Sequence, residues 1–336
     1  MPHINRQVRL KSRPTGIPQA ENFEIAEAAV PELADRQFLV RNEYLSVDPA
    51  MRGWVSTVAN YSTPVGIGEV MRSFSAGTVV ASRHPGYAEG DQVMGMLGWQ
   101  QFALSDGANI TRKVREKDLP LSLSLGVLGL NGVTAYFGLL DLGEPTPGDT
   151  VVVSTAAGAV GSTVGQIAKL MGCRTVGITG GAQKVKLCTD EFGYDTAIDY
   201  KAGDLAQALK AACPHGIDVY FDNTSGSISD TVLAQIALHA RIVICGTASI
   251  SSWEPWPMGP RVERHVLVKR ARISGLLIFD YAHRYEEAVT RLAAWVREGK
   301  LKYREDILDG LEHAPGAIAE LYRGENLGKR LIRLSH

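Results

Sequence analysis

The sequence has no uninterrupted apolar run of the roughly 18 residues that a membrane-crossing helix needs. Its opening residues, Met1-Pro2-His3-Ile4-Asn5-Arg6, carry no apolar signal core, so a cytoplasmic protein with no membrane partner is expected. Charge of either sign is not in excess: 35 basic residues face 36 acidic ones, a net −1, which gives no pull towards nucleic acid. Cysteine is scarce. Cys173, Cys188, Cys213 and Cys245 are spread too widely for a structural zinc pair, and without a secretory signal they read as reduced, buried thiols. There is also no Gly-His-Glu segment and no HExxH. A catalytic zinc needs three convergent ligands, and the eight scattered histidines offer no obvious set, so no metal is expected. Without a Lewis acid, polarising a substrate carbonyl falls to hydrogen-bond donors. No internal repeat or low-complexity segment is visible.

What is present fits two globular domains: 336 residues at about 150 per domain. The first 125 or so residues read as strands and turns. Gln37–Val47 alternates apolar and polar side chains, as a half-buried strand does. Gly77–Ala81 and Gln92–Met96 are shorter strand candidates, punctuated by turns at His84–Tyr87 and Glu89–Asp91. From about Leu125 strands alternate with helices, the signature of a parallel sheet. Strands are expected at Asp149–Ser154, Thr175–Ile178, Thr196–Ile198, Asp218–Phe221 and Arg241–Ile244. Helices are expected at Gly161–Leu170, Gln183–Phe192, Leu205–Ala212, Ser229–Leu238 and Arg284–Glu298. The tail, Leu301–Leu334, returns to short strands around a short helix.

One motif carries chemistry. Val151-Val152-Val153-Ser154 runs into Thr155-Ala156-Ala157-Gly158-Ala159-Val160-Gly161, a strand, a small-residue turn and a helix start. Against the dinucleotide fingerprint G-x-G-x-x-G it reads Ala156-x-Gly158-x-x-Gly161. Gly158 lets backbone approach a pyrophosphate, Gly161 lets the helix pack closely, and the helix start offers free N–H groups. A purely packing role for the same small residues is the competing reading. The end of the second strand then selects the nucleotide. An acid there binds ribose hydroxyls in NAD sites. Val176-Gly177-Ile178-Thr179-Gly180-Gly181-Ala182 has none, and its first charge is Lys184, which favours the 2′-phosphate of NADPH unless Lys184 is a plain surface lysine.

Four stretches together resemble a known family: Ser154–Gly172, Asn131–Leu140, Val47-Asp48-Pro49-Ala50-Met51-Arg52-Gly53 and Asn326-Leu327-Gly328-Lys329. They are similar to the zinc-independent medium-chain dehydrogenase/reductases, in the branch of prostaglandin reductases, alkenal double-bond reductases and curcumin-reductase-like enzymes. The resemblance implies an α/β protein in which a GroES-like β-rich catalytic domain, residues 1–125 and 299–336, carries an inserted doubly wound Rossmann domain with a parallel sheet, residues 126–298. It implies NADPH, a homodimer, and reduction of the C=C bond of a small hydrophobic enone. Gly158, Ala159, Val160 and Gly161 would line the pyrophosphate, and Lys184 with Tyr200 would hold the 2′-phosphate. Asn223, then Cys245, Gly246 and Thr247, would end the fourth and fifth Rossmann strands beside the cofactor. Leu277, Ile278 and Phe279 would meet the nicotinamide, and Asn326 would reach the cofactor from the tail. Tyr281 is the acid candidate, although some relatives place a tyrosine at the Phe279 position. Ala50 stands where plant relatives carry a tyrosine, which implies a roomier pocket.

In that chemistry hydride reaches the β-carbon of the enone and negative charge develops on the carbonyl oxygen. A donor aimed at that oxygen is typically worth about 3 kcal/mol of barrier. Tyr281 is either that donor or an ordinary surface tyrosine. The loop from Tyr61 to Gly68 either covers substrate or merely connects. Trp253 and Trp256, in a loop with Met258, either form an apolar lid over the pocket or pack at a dimer interface. Two alternatives keep the fold and change the activity: an NADPH:quinone oxidoreductase, and an NADPH-binding protein whose catalysis has lapsed.

Overall fold

The computed structural model describes residues 4–30, 32–58, 61–250, 255 and 257–334, so Trp253 and Trp256 lie outside the described residues. The chain divides into two units, Met1–Gly126 with Glu305–His336, and Val127–Arg304. In the first unit β1 (Ile4–Leu10) and β2 (Phe23–Ala29) form an antiparallel hairpin. Next come β3 (Phe38–Ser46), the short helix α1 (Met51–Trp54), β4 (Ser75–Ser82), β5 (Gln92–Gly95), β6 (Phe102–Ser105) and β7 (Ile110–Lys113). β3 pairs antiparallel with both β4 and β6, and buries Phe38 and Val40 against Val79, Val93, Leu97 and Ala103.

The second unit opens with α2 (Leu130–Phe137) and then alternates strictly. β8 (Thr150–Ser154) leads to α3 (Ala159–Leu170), β9 (Arg174–Thr179) to α4 (Ala182–Lys186), and β10 (Thr196–Asp199) to α5 (Leu205–Ala212). β11 (Ile217–Asp222) leads to α6 (Gly226–Leu233), β12 (Ile236–Ile244) to α7 (Glu263–Lys269), and β13 (Arg272–Gly275) to α8 (Tyr285–Arg297). The sheet is parallel throughout, in the order β10-β9-β8-β11-β12-β13. That is the Rossmann order, third-second-first-fourth-fifth-sixth, with its reversal of direction between β8 and β11. β8 is buried along its whole length, as expected for a strand covered on both faces.

Several boundaries differ from the sequence expectation; the helix expected at Gln183–Phe192, for one, is α-helical over Ala182–Lys186 and then widens into a π-type turn over Leu187–Glu191. The helix expected at Ser229–Leu238 begins earlier and stops at Leu233, because Ile236 already pairs with Ile217 and opens β12. Ile236-Ala237-Leu238 is a short apolar run, whose periodicity cannot separate helix from strand. Residues 299–304 stay with the second unit. The Lys302 amide donates to Gln166 Oε1 (2.7 Å), Gln166 Nε2 donates back to the Lys302 carbonyl (2.9 Å), and Arg304 pairs with Glu191.

The chain then returns to the first unit through β14 (Glu305–Asp309), α9 (Ala314–Arg323) and β15 (Lys329–Arg333). β15 lies between β14 and β3, so the tail completes the larger sheet. A buried ion pair locks this closure. Lys329 Nζ meets Asp48 Oδ1 at 2.6 Å, Ser46 Oγ at 2.7 Å and the Val47 carbonyl at 3.0 Å, which uses all three ammonium protons. Ser46 in turn donates to the other Asp48 oxygen. Two of the stretches that carry the family resemblance, 47–53 and 326–329, are therefore joined through charge. Beside them the Arg52 guanidinium lies over the Tyr322 ring, and the Tyr322 hydroxyl donates to the Pro49 carbonyl (3.1 Å).

Removing one member of a buried pair strands the other. Lys329→Met should cost about 3–5 kcal/mol in guanidinium unfolding, and adding Asp48→Asn should recover part of that loss. A single-variant cost below about 1 kcal/mol would show that the pair does not lock the tail.

Candidate active site

The turn between β8 and α3 is built from the absence of side chains. A Cβ added at Gly161 would fall 2.3 Å from the Thr155 carbonyl oxygen, and one at Gly158 would fall 2.9 Å from Thr155 Cγ2. Ala156 occupies the position of the missing first glycine and is buried, while the left-handed conformation falls one residue earlier, on Thr155 (φ +54°). A β-branched residue there is strained. Gly158 caps α3 with backbone alone; no side chain closes the helix start. Gly158, Ala159 and Val160 are partly exposed, so first-turn N–H groups face outward with no intrahelical partner. Such a turn fits a phosphate, by hydrogen bonding and by the helix dipole.

A residue that the motif did not reveal holds this turn. Tyr194 is buried, and its ring fills the slot left by Gly165 and Gly177; a Cβ at Gly165 would fall 2.1 Å from Tyr194 Cζ. Its hydroxyl donates to the Gly161 carbonyl at 2.6 Å. A buried tyrosine needs a partner for its hydroxyl, but its partner here is 33 residues away in sequence.

Lys184 lies on the first turn of α4, and the Tyr200 amide donates to the Thr179 carbonyl (3.1 Å), so both reach the loop at the end of β9. That loop also meets a carboxylate, which reading β9 alone missed because it arrives from β10. The Gly181 and Lys201 backbone N–H groups hold the Asp199 carboxyl below the usual carboxylate range.

At the reversal point, fully buried Asp222 accepts the Thr224 and Ser225 amides (2.9 and 2.8 Å) and the hydroxyls of Tyr220, Ser154 and Ser229. Asn223 is spent on β8: its amide donates to Ser154 Oγ (2.8 Å) and its Nδ2 to the Ser154 carbonyl (2.7 Å). The Cys245 and Gly246 amides both donate to the Asp222 carbonyl. Asn223, Cys245 and Gly246 are thus brought together, with Thr247 exposed beside them. Burial first, then the Asp222 charge, pushes the Cys245 thiol up to about 12, so it stays protonated at neutral pH.

Past β13, Ile278 is buried, Leu277 half-buried and Phe279 exposed. Tyr281 stacks on Phe137 of α2 (centroids 4.7 Å apart), and Arg284 also lies against that ring. Partial burial, and next the Asp141 charge, raise the Tyr281 phenol above its ordinary value. Its hydroxyl has no hydrogen-bond partner among the described residues. Tyr61 and Asn326 belong to the first unit; Tyr61 is exposed, and Asn326 is buried with its Nδ2 donating to the Gly328 carbonyl. Among the described residues no three His, Cys, Asp or Glu side chains converge as metal ligands.

Two variants separate the parts of the wedge. Tyr194→Phe keeps the ring and should cost about 1 kcal/mol in thermal unfolding, whereas Gly165→Ala drives a methyl into that ring and should cost about 1–3 kcal/mol. The reverse ranking would remove Tyr194 from its role. For the thiols, burial also holds Cys188 near 12 and Cys173 and Cys213 near 11. Ellman's reagent at neutral pH should therefore label the native chain slowly and all four cysteines after unfolding. Cys245 is half-buried rather than buried, so rapid native labelling there would contradict its raised thiol pKa.

Two family models match the chain: the N-terminal domain of oxidoreductase over residues 6–113, and zinc-binding dehydrogenase over residues 159–294. The NADPH-dependent curcumin reductase of Escherichia coli is 45% identical, over 98% of this chain and 97% of its own. The NADP(+)-dependent 2-alkenal reductase of Nicotiana tabacum is 38% identical, over 98% of each. The crystal structure of CurA from Vibrio vulnificus in complex with NADPH superposes with a TM-score of 0.93 at 43% identity, covering 98% of this chain and 99% of that one. Likeness of this extent, joined to the Rossmann strand order and the side-chain-poor turn after β8, decides the family. The chain belongs to the zinc-independent medium-chain dehydrogenase/reductases, in the branch of the curcumin, alkenal and prostaglandin reductases.

Proposed function

We propose that this protein is an NADPH-dependent reductase that delivers hydride to the β-carbon of α,β-unsaturated ketones or aldehydes and so saturates their C=C bond without a metal. The observation that carries the reading is the bare-backbone turn from Thr155 to Gly161, in a chain that matches NADPH-dependent reductases of this kind along its whole length.

The side-chain-free start of α3, at Gly158, Ala159, Val160 and Gly161, would hold the pyrophosphate. Lys184 and Tyr200 would hold the 2′-phosphate, since the nearby Asp199 carboxylate is already turned to backbone N–H groups. Asn223, Cys245, Gly246 and Thr247 would shape the cleft at the strand ends, with Leu277, Ile278 and Phe279 beside the nicotinamide. When bound, reduced nicotinamide supplies the hydride. A substrate carbonyl gains negative charge as its β-carbon is reduced, and a neutral phenol stabilises that charge better than it stabilises the ground state. Tyr281 suits this role: its hydroxyl is unengaged among the described residues, and partial burial favours its protonated form. The part given to Asn326 remains with the resemblance that implied it, and those given to Tyr61, Trp253 and Trp256 remain with the composition of their loops.

Cytoplasmic residence and a homodimer belong to the same reading. Among the described residues no helix is long and apolar enough to cross a membrane, and the four cysteines are free. An open sheet edge supports a second copy. β13 is an edge strand with Ile273 exposed, and α7, which precedes it in the chain, buries none of its residues and leaves Leu267 77% exposed.

Steady-state rates with short alkenals, aryl enones and simple quinones test the reading. Enones and alkenals should be reduced with NADPH in preference to NADH. Faster turnover of quinones, or tight NADPH binding with no turnover, would replace it. Tyr281→Phe should lower kcat by about 10²-fold, the scale of losing one donor to the developing oxyanion. Because burial raises the folded phenol above its ordinary value, activity that depends on its proton should persist at alkaline pH where a free tyrosine begins to ionise. Unchanged turnover in the phenylalanine variant would take Tyr281 out of the mechanism.

A further inference from the structure

We propose that Lys201 is a second cationic contact for the ribose 2′-phosphate, acting beside Lys184 and setting much of the preference for the phosphorylated carrier; this rests on the NADPH reading above. Lys201 follows β10, and its position is set by backbone. The Tyr200 amide donates to the Thr179 carbonyl, and the Lys201 amide donates to Asp199 Oδ1 (3.0 Å). These bonds lay the 200–201 segment along the loop that ends β9. A Cβ built at Gly180 would fall 3.0 Å from Lys201 Cε and 3.0 Å from Tyr200 Cε1, so the lysine stem and the phenol ring both lie against bare loop backbone. The ammonium is held over the Tyr200 ring, 5.8 Å from its centroid.

Charge is the second part of the case. Some lysines of this protein are already neutralised by an acid: Lys113 by Asp91, Lys169 by Asp195 and Lys300 by Glu298. Lys201 makes no hydrogen bond or ion pair through its ammonium among the described residues. The carboxylate beside it, Asp199, accepts the backbone N–H groups of Gly181 and Lys201. The loop that meets the ribose end of a dinucleotide in this topology therefore carries two ammonium groups, Lys184 and Lys201, against one carboxylate already occupied by backbone. Ribose hydroxyls need an acceptor, and this loop offers donors. A dianionic phosphate is the matching ligand, and an ammonium with free protons is a point-charge partner for it.

The test is equilibrium binding by isothermal titration calorimetry to the full-length, cofactor-free protein. The probes are 2′,5′-ADP against 5′-AMP, and NADPH against NADH. Lys201→Ala should weaken 2′,5′-ADP and NADPH about five- to tenfold and leave 5′-AMP and NADH within about twofold, the scale of one partly screened charge-assisted contact. The variant should also show a shallower salt dependence for NADPH, and Lys201→Arg should keep most of the affinity. Parallel weakening of all four ligands, or unchanged 2′,5′-ADP binding, would overturn the assignment. Unaltered protein that binds NADPH no better than NADH would overturn the cofactor reading along with it. Unaltered protein that prefers NADPH, with Lys201→Ala indistinguishable from it, would overturn the lysine's role alone.

Discussion

The second unit depends on how closely α3 can approach the ends of β8 and β9. Gly161 sits where any side chain would strike the Thr155 carbonyl, and Gly165 and Gly177 leave a slot that only a flat ring fills. Tyr194 fills it and ties its hydroxyl to the first turn of the helix. Interiors pack at the density of organic crystals, so such a contact has little slack. It fixes the distance between helix start and sheet, and with it the direction of the exposed N–H groups. Strain at Thr155 is tolerated because the surrounding contacts leave that residue no other conformation.

A second constraint acts one strand away. Burying a carboxylate without a cation is costly unless hydrogen bonds replace its hydration. Asp222 meets that condition with two amides and several hydroxyls, drawn from β8, its own strand and loop, and α6. The same loop carries Asn223, whose side chain crosses to Ser154. The gap between β8 and β11, where the strand order reverses, is thereby braced by a single buried charge. Burial first, and that charge second, keep the neighbouring Cys245 thiol protonated.

Much of this was legible in the sequence wherever the signal is local. Val151–Val153 read as a strand because a strand covered on both faces is apolar throughout, and the small-residue turn after it read as a phosphate cradle because steric demand leaves a compositional mark. Signals between distant segments left none. Tyr194, Asp199 and Lys201 reach the turns from the next β-α unit, and nothing in their spacing announces it. Ile236-Ala237-Leu238 shows the other failure: local apolar pattern permitted a helix, and pairing with β11 made a strand. Asp48 and Lys329 both lie in stretches that carry the family resemblance, yet nothing in their spacing announces that they touch.

That ion pair bears on the order of events at the ribosome. β15 inserts between β14 and β3, so the first unit's sheet lacks an internal strand until residues 329–333 emerge. The second unit, continuous from Val127 to Arg304, contains every strand of its own sheet well before then. During synthesis the earlier-made strands wait with the Tyr44–Ser46 end of β3 open and Asp48 without Lys329, while the later-made unit can already close. An unpaired strand edge in a waiting segment is a template for wrong pairing. Vectorial synthesis thus reverses the order that reading from the amino terminus suggests, and the unit begun first is the last to be finished.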